Sequence, residues 1–409
     1  MKSETERHSS RWFAQKWVLD NTVALLGPEA VANSPVQSTF SAIGNDAATE
    51  AQALRSRVKR FADIGREFRR LAIRREELAR QAEGGSHAAT ARDNYFAAAL
   101  FYGAARWSIM EDENPALAEL NSKMTECYQK YILLADHPIE RVEIPFDGFK
   151  IYGYFHRPNN TGERFSTVVS LTGMDGFKEQ SVRLYGDKLL ARNFAVFAFD
   201  GPGQGEAVAR GLKVKPDSFD RVAKELIEYL TTRKDVAHEK IALRGSSFGT
   251  YWGPRMMASD SRYRVGSFSS VCHEPRGSTI FNSAHPAYKL RHMWMAGYED
   301  EEEFENSYCS KLSLAGIGEK IRQPVLIAAG DSDPLSPIEY TCDFYRELAG
   351  PKRLLIYEGQ GHGITNPQLS NTVGDFLLDA LSGAKIESGI QIVDQAGRSG
   401  PLTQVYTPV

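Results

Sequence analysis

Apolar residues in the N-terminal third of the chain recur at helical spacing, with almost no alternating strand pattern. Residues 48–83 are rich in Ala, Arg, Glu and Leu and predict one long helix. A Gly-Gly-Ser break at 84–86 separates this helix from a second one predicted over 89–110, and a third is predicted over 114–134. The pattern therefore predicts an all-helical N-terminal unit, residues 1–136.

The second of these helices carries a stripe of aromatic side chains. Its members are Tyr95, Phe96, Phe101, Tyr102 and Trp107. Aromatic residues at helical spacing are typical of packing between helices. Part of the stripe could instead line a ligand cavity that faces the rest of the chain, and the sequence leaves both interpretations open.

After Pro138 short apolar runs alternate with helical stretches. The predicted strands are Thr167–Leu171, Phe194–Phe199, Lys240–Leu243, Val265–Val271, Val325–Ala329 and Arg353–Tyr357. The predicted helices lie at about 180–191, 216–233, 248–259, 337–349 and 367–382. Such alternation is typical of right-handed β-α-β units, so we expect an α/β fold over residues 137–384, with a mostly parallel sheet flanked by helices.

Three further segments complete the predicted organisation. Residues 140–157 predict a β-hairpin around Asp147-Gly148, which would supply an antiparallel edge to the sheet. Residues 276–316 form a long insertion rich in aromatic residues, which either lines the substrate pocket or packs against the helical unit. Residues 385–409 contain several Gly and Pro and predict a weakly ordered tail or an oligomer arm.

Composition and charge exclude several classes of protein. The 409 residues are 42% hydrophobic and 25% charged, and a net charge of −3 offers no basic surface for nucleic acid. No stretch approaches the roughly 20 apolar residues that span a bilayer, so we expect no membrane association. The polar N-terminus lacks the apolar stretch of a secretory signal and predicts a cytoplasmic protein. Four widely spaced cysteines predict free thiols in that compartment and no metal site.

The main chemical signal is the run Gly245-Ser246-Ser247-Phe248-Gly249, a G-x-S-x-G motif that directly follows an apolar strand. In such a motif the serine lies at a sharp turn from strand to helix, and its hydroxyl is exposed above the sheet. The flanking glycines leave room for this turn. Ser247 is therefore our candidate nucleophile, although the motif alone also arises by chance.

A neutral serine hydroxyl needs a base, and an acid that orients the base. Reactive groups of a parallel sheet collect at the carboxyl ends of its strands. Asp333 and His362 each follow such a strand, so we expect Asp333 to orient His362, which exchanges a proton with Ser247. Asp331 in the same turn is the alternative acid. Pro334 begins the next segment directly after Asp333 and favours Asp333, which leaves Asp331 as a turn former.

Two backbone N–H groups would stabilise the oxyanion that such a serine generates. We expect one from Phe248, the residue after the nucleophile. The other is predicted in the glycine-containing turn 172–176, where Met174 is our first choice and Asp175 the second. A plain connection between strand and helix is the alternative interpretation of this turn.

Residues 200–206, Asp-Gly-Pro-Gly-Gln-Gly-Glu, also follow a buried strand and could imitate a dinucleotide-binding loop. The G-x-G-x-x-G pattern requires glycine at the position of Glu206, so we predict no nucleotide cofactor. A turn that packs beside the active site fits these residues better.

These features together resemble the α/β-hydrolase superfamily over residues 140–382. More narrowly, the chain is similar to a branch that contains 2,6-dihydroxypseudooxynicotine hydrolase, fungal polyketide-shortening hydrolases of the yellowish-green pigment type and, more distantly, FrsA-like esterases. The resemblance rests on the helical N-terminus, the turn 172–179, the run 200–206, Ser247, Asp333 and His362.

The resemblance implies a fold, a cap and an activity. The N-terminal helices would form a cap over the active site, and the protein would be a homodimer. It would act on a small molecule as a serine hydrolase, cleaving either a carbon–carbon bond next to a ketone or a carboxylic ester. An acyltransferase with the same residues, or a catalytically silent binding protein, are the alternatives.

An acidic residue contacts the substrate in the carbon–carbon hydrolases of this branch, and Glu274, after a predicted strand, resembles it. Glu274 could protonate a carbanion, hydrogen-bond a phenol, replace Asp333 as the acid, or be a solvated loop carboxylate. We also expect Asp175, Trp252 and Trp294 to contact the substrate.

Overall fold

The computed structural model describes residues 10–31, 34–159, 164–394 and 399–401. Its N-terminal part consists of helices and short turns. The helices are α1 (Ser10–Leu26), α2 (Thr39–Ile43), α3 (Ala48–Arg57), α4 (Asp63–Gly84), α5 (Ala88–Ala105) and α6 (Pro115–Leu134). Of the helical unit predicted for the N-terminus, residues 1–9 and 32–33 lie outside the described residues.

The strands in the rest of the described chain form one sheet. Its strands are β1 (Ile139–Phe146), β2 (Phe149–His156), β3 (Phe165–Leu171), β4 (Ala195–Asp200), β5 (Val236–Ser247), β6 (Tyr263–Val271), β7 (Val325–Gly330), β8 (Lys352–Tyr357), β9 (Gly389–Val393) and β10 (Ser399–Pro401). Their order is β1-β2-β4-β3-β5-β6-β7-β8-β9-β10 within the described residues. From β4 to β9 the pairs are parallel, whereas β1, β2 and β10 run antiparallel to their neighbours.

Helices cover both faces of this sheet. The helices that follow the hairpin are α7 (Lys178–Ser181), α8 (Asp187–Leu190), α9 (Gly205–Ala209), α10 (Ser218–Thr232), α11 (Gly249–Ser259), α12 (Pro286–Ala296), α13 (Glu301–Glu303), α14 (Ile338–Glu347) and α15 (Leu369–Leu381). Val169 of β3 packs in one core with Leu226 of α10, whereas the adjacent Val168 packs in a second core with Phe376 of α15. Successive side chains of a strand point to opposite faces, so each buried strand contributes to both cores. The predicted α/β fold class is confirmed.

The hairpin forms the antiparallel edge where it was predicted. Asp147 and Gly148 have φ values of 49° and 77°, as a two-residue turn with left-handed backbone requires. Tyr154 of β2 packs against Tyr128 of α6, with ring centroids 4.5 Å apart. The hairpin therefore also links the helical unit to the sheet.

The aromatic stripe of α5 mostly packs between helices. Phe101 is fully buried against Phe68 of α4, and Tyr102 donates a hydrogen bond to buried Glu76. Trp107, just beyond α5, instead donates its indole N–H to Asp175 at 2.9 Å, across the boundary between the helical unit and the sheet. Most of the stripe is therefore packing between helices, and Trp107 in addition contacts the turn after β3.

Two segments differ from the sequence prediction. The single helix expected over 48–83 is interrupted at 58–62, where the Asp63 carboxylate accepts hydrogen bonds from the N–H groups of Lys59 and Arg60 in the turn before α4. The predicted C-terminal tail contains β9, whose Ile390 and Ile392 alternate with polar residues and pair with β8. Residues 395–398 and 402–409 of that tail lie outside the described residues.

Candidate active site

Ser247 lies at the turn between β5 and α11 with a φ of 54°. This left-handed backbone is unfavourable for a residue with a Cβ and marks a constrained turn. A Cβ on Gly245 would lie 2.3 Å from the Gly249 carbonyl oxygen, and one on Gly249 would lie 2.8 Å from the Leu171 carbonyl oxygen. The two glycines of the motif are therefore required by close backbone contacts.

The structure brings the three principal candidates together. His362 Nε2 lies 2.8 Å from Ser247 Oγ, and His362 Nδ1 lies 2.8 Å from Asp333 Oδ2. The side chain of Asp333 is 1% exposed and that of His362 is 19% exposed. The imidazole therefore bridges a buried carboxylate and the hydroxyl of a partly exposed serine.

The turn after β7 assigns different contacts to its two aspartates. Asp333 Oδ1 accepts hydrogen bonds from the N–H groups of Leu335 and Ser336, which leaves Oδ2 for His362. Asp331 Oδ1 instead accepts from the N–H of Gly359, at the start of the loop that carries His362. Asp333 thus contacts the imidazole, while Asp331 ties the two loops together.

The two backbone N–H groups predicted to bind an oxyanion, those of Phe248 and Met174, belong to segments that flank Ser247. A Cβ placed on Gly173 would be 2.7 Å from the Ser247 Cβ and 3.1 Å from its Oγ, so the turn after β3 contacts the hydroxyl. The N–H groups of Met174 and Phe248 donate to no other residue in the described part of the chain.

On its other side Ser247 meets the end of β6. Cys272 Sγ lies 3.8 Å from Ser247 Oγ, and burial raises the pKa of this thiol, which keeps it neutral. Cys272 and Phe248 line a small cavity together with Glu274. The Glu274 carboxylate accepts hydrogen bonds from both the N–H and the hydroxyl of Thr279. Glu274 is thus held near the serine, with both oxygens already engaged within the loop.

Asp175 connects the turn after β3 to the helical unit. Its Oδ1 accepts from Trp107, and it lies 3.9 Å from the buried guanidinium of Arg291 on α12. Burial raises the pKa of Asp175, an effect that Arg291 and the Trp107 hydrogen bond partly offset. Arg291 also donates to the carbonyl oxygens of Trp107 and Ile109. Asp175 and Arg291 therefore hold the helical unit onto the sheet beside the serine.

The two tryptophans predicted to contact substrate lie in different surroundings. Trp294 lines a cavity shared with Asp175, and its indole N–H donates to Asp112. Trp252 is 1% exposed and stacks on Phe219 with ring centroids 4.3 Å apart. These are the contacts of a core side chain, so the structure gives the predicted substrate contact of Trp252 no support. Trp252 is therefore a buried residue of α11, the helix that follows the turn with Ser247.

The run 200–206 surrounds a buried cluster of charges. Lys178, fully buried, lies 3.0 Å from Asp200 Oδ2 and 3.0 Å from Glu206 Oε2, and Arg141 reaches Glu206 from β1. These carboxylates hold the pKa of Lys178 well above its usual range, despite burial. Burial opposes the charge of Glu206, but Lys178 and Arg141 lower its pKa to about 2. The cluster fixes the run beside the turn after β3.

Sequence reasoning missed Cys272 and Arg291 as neighbours of the site. Cys272 could have been found by the rule that located Asp333 and His362, since it also follows a parallel strand. No sequence signal points to Arg291, because its position depends on how α12 and the helical unit pack.

No group of three or more His, Cys, Asp or Glu side chains in the described ranges could hold a metal ion. All four cysteines are free, and Cys342 is the most exposed. Among the described helices, none is long and apolar enough to cross a membrane.

The mostly parallel sheet and its flanking helices form the fold of the α/β hydrolases. The family model for esterases of the FrsA-like type matches residues 67–342, and the chain belongs to that family.

Curated relatives are similar over part of their length. The chain is 26% identical over 209 residues to the α/β hydrolase xenA of Xenoacremonium sinensis, a match covering 48% of each chain. It is 25% identical over 274 residues to 2,6-dihydropseudooxynicotine hydrolase of Paenarthrobacter nicotinovorans, covering 64% of this chain and 71% of the relative. It is 25% identical over 260 residues to the esterase FrsA of Vibrio cholerae, covering 60% of each. The chain thus spans between about half and 71% of these relatives.

Solved structures share the fold. The crystal structure of a 2,6-dihydroxy-pseudo-oxynicotine hydrolase superposes with a TM-score of 0.73 at 21% identity, covering 87% of this chain and 98% of that one. The structure of wild-type AbyA5 gives a TM-score of 0.67 at 18% identity, covering 87% and 94%. The likeness to the first includes the helical N-terminal region, since it covers most of both chains.

Proposed function

We propose that this protein is a serine hydrolase that forms an acyl-enzyme on Ser247, and that its substrate is an apolar or aromatic ketone or ester. The observation that carries the proposal is the continuous line from Ser247 Oγ through the His362 imidazole to Asp333, with both contacts at 2.8 Å. A hydroxyl, a base and a buried acid in this order are the arrangement that activates serine.

The reaction begins when Ser247 attacks the substrate carbonyl and His362 Nε2 accepts the hydroxyl proton. Asp333 holds Nδ1 and stabilises the imidazolium that forms. The imidazolium then donates its proton to the leaving group, which is an alkoxide in an ester and an enolate in a 1,3-diketone. Water then attacks the acyl-enzyme while His362 accepts one of its protons. His362 donates that proton to Ser247 Oγ as the bond to the acyl group breaks and the carboxylic acid leaves.

The oxyanion formed in each half of the reaction accepts from Phe248 N–H and Met174 N–H. Their positions beside Ser247, and their lack of another acceptor among the described residues, support this assignment. Donors of this kind are worth about 10²–10³ in kcat, because they stabilise charge that develops in the transition state.

The substrate would approach from the boundary between the helical unit and α12. A cavity of about 720 Å³ lies there, between residues 108–113 and α12, and Trp294 lines both this cavity and the small cavity lined by Asp175. Volumes of this order accommodate small organic ligands. The helical unit would then act as a cap, held in place by the contact between Trp107 and Asp175.

The names of the relatives support two bond types, since one is a hydrolase of a pseudooxynicotine and another is an esterase. Purified protein assayed with p-nitrophenyl acetate and with an aryl 1,3-diketone separates them. Turnover of the diketone at the higher kcat/KM supports carbon–carbon cleavage, and the reverse supports an esterase. Activity of Ser247→Ala equal to that of the wild type on both substrates would overturn the proposal.

A further inference from the structure

Gln204 occupies the centre of the run 200–206 and is 1% exposed. Its Nε2 atom donates to the carbonyl oxygens of Thr172 and Gly173, at 3.2 and 2.8 Å, and lies 3.1 Å from the Thr172 hydroxyl. Its Oε1 atom accepts from the N–H of Gly201. Since carbonyl oxygens only accept hydrogen bonds, the amide must present its NH₂ group to this turn.

The carbonyl of Gly173 and the N–H of Met174 belong to the same peptide group. In a planar trans peptide these two groups point in opposite directions. Gln204 on one side of the peptide therefore determines where the Met174 N–H points on the other. A second donor, the N–H of Gly176, holds the same carbonyl at 3.3 Å.

This peptide lies directly beside the nucleophile, because a Cβ on Gly173 would come within 3.1 Å of Ser247 Oγ. The run 200–206, which contains Gln204, is itself held in place by hydrogen bonds to Asp200. Asp200 accepts from the N–H groups of Lys178 and Glu206, both at 2.8 Å, and so joins the two ends of the run to the helix after the turn.

We infer that Gln204 is a positioning residue that orients the Gly173–Met174 peptide, so that the Met174 N–H faces the oxyanion formed at Ser247. This inference rests on the proposed function. It gives the run 200–206, which could imitate a dinucleotide-binding loop, a role in orienting a hydrogen-bond donor to the oxyanion.

The test compares Gln204→Leu, which removes the donor, and Gln204→Met, which keeps the length of the side chain and has no N–H or O–H to donate. Gln180→Leu is the matched control, because Gln180 is also a buried glutamine and contacts neither carbonyl of the turn. Each variant is assayed with p-nitrophenyl acetate for kcat and KM. Its affinity for an aryl trifluoromethyl ketone, which forms a tetrahedral oxyanion with serine, is measured in parallel.

Both Gln204 variants are expected to lose about 10- to 100-fold in kcat, with KM changed less than threefold, because a misdirected donor weakens only the charged state. Affinity for the trifluoromethyl ketone should fall by the same factor as kcat. Gln180→Leu should keep both values within threefold of the wild type.

The inference is overturned if kcat and ketone affinity survive in Gln204→Leu and Gln204→Met while Ser247→Ala is inactive. It is equally overturned if neither variant folds by circular dichroism, since Gln204 would then be a structural residue. Activity of Ser247→Ala equal to that of the wild type would instead contradict the proposed function itself.

Discussion

His362 Nε2 lies 2.8 Å from Ser247 Oγ, although 115 residues of chain separate the two. They meet because β5 and β8 are parallel strands of one sheet, and both residues follow the carboxyl ends of their strands. Asp333, after β7, completes the line from the same edge.

Asp333→Asn should lower kcat about 10³- to 10⁴-fold with little change in folding. The asparagine Oδ1 can still accept from Leu335 and Ser336, but its NH₂ would face His362 Nδ1 and favour the wrong tautomer. Steady-state kinetics at neutral pH measure the effect. Asp331→Asn is the control and should keep kcat within about tenfold, since Asp331 does not contact the imidazole. Equal losses in the two variants would contradict the assignment of Asp333.

Ser247→Gly should be inactive and more stable than Ser247→Ala by about 1 kcal/mol. The residue has a φ of 54°, which glycine adopts without the steric cost that alanine shares with serine. Urea unfolding of both variants measures the difference. A more stable alanine variant would show that the turn relaxes once the hydroxyl is absent.

Asp175→Asn should gain stability relative to the wild type as the pH rises from 4 to 8. Burial raises the folded-state pKa of Asp175 above its ordinary value of 3.8, so the fold binds this proton more tightly than the unfolded chain does. In the wild type, the contribution of Asp175 to the free energy of unfolding is therefore fully present below pH 3.8, and it is lost as the pH rises through the folded-state pKa. Asparagine does not titrate.

Urea unfolding over this pH range measures the Asp175 effect. Asp235→Asn, measured at and below pH 4, provides the opposite sign, because the Arg233 hydrogen bond and charge lower the pKa of Asp235 despite partial burial. Its wild-type contribution is present above pH 3.8 and is lost as the pH falls. The same direction in both variants would contradict the environment described for Asp175.

Lys178→Met should lower the free energy of unfolding by about 3–5 kcal/mol, because it leaves Asp200 and Glu206 buried with one fewer cation. Chemical denaturation measures the loss. Lys150→Met, which removes an exposed lysine paired with Glu143, is the control and should leave the midpoint unchanged. A midpoint unchanged in Lys178→Met would show that the cluster does not stabilise the fold.

The sequence was sufficient to predict the sheet and the residues at its carboxyl edge. Strand ends fix where Ser247, Asp333 and His362 lie, and a buried parallel strand is visible as a short apolar run. The strand β9 was missed because its alternation extends over only five residues between Gly and polar segments.

Contacts that depend on docking could not be predicted. The hydrogen bond between Trp107 and Asp175 exists only because α12 and the helical unit pack against the sheet. No sequence pattern around either residue predicts this contact. The interruption between α3 and α4 contains no Gly or Pro. It is stabilised by tertiary contacts, such as Phe61 against Trp107 with ring centroids 5.5 Å apart.

The most direct test of Ser247 as the nucleophile is its covalent labelling by a fluorophosphonate, followed by intact-protein mass spectrometry and peptide mapping. The proposed function predicts one adduct per chain, located on Ser247, with labelling abolished in Ser247→Ala and strongly slowed in His362→Ala. An unlabelled wild-type protein, or an adduct that persists in Ser247→Ala, would contradict it.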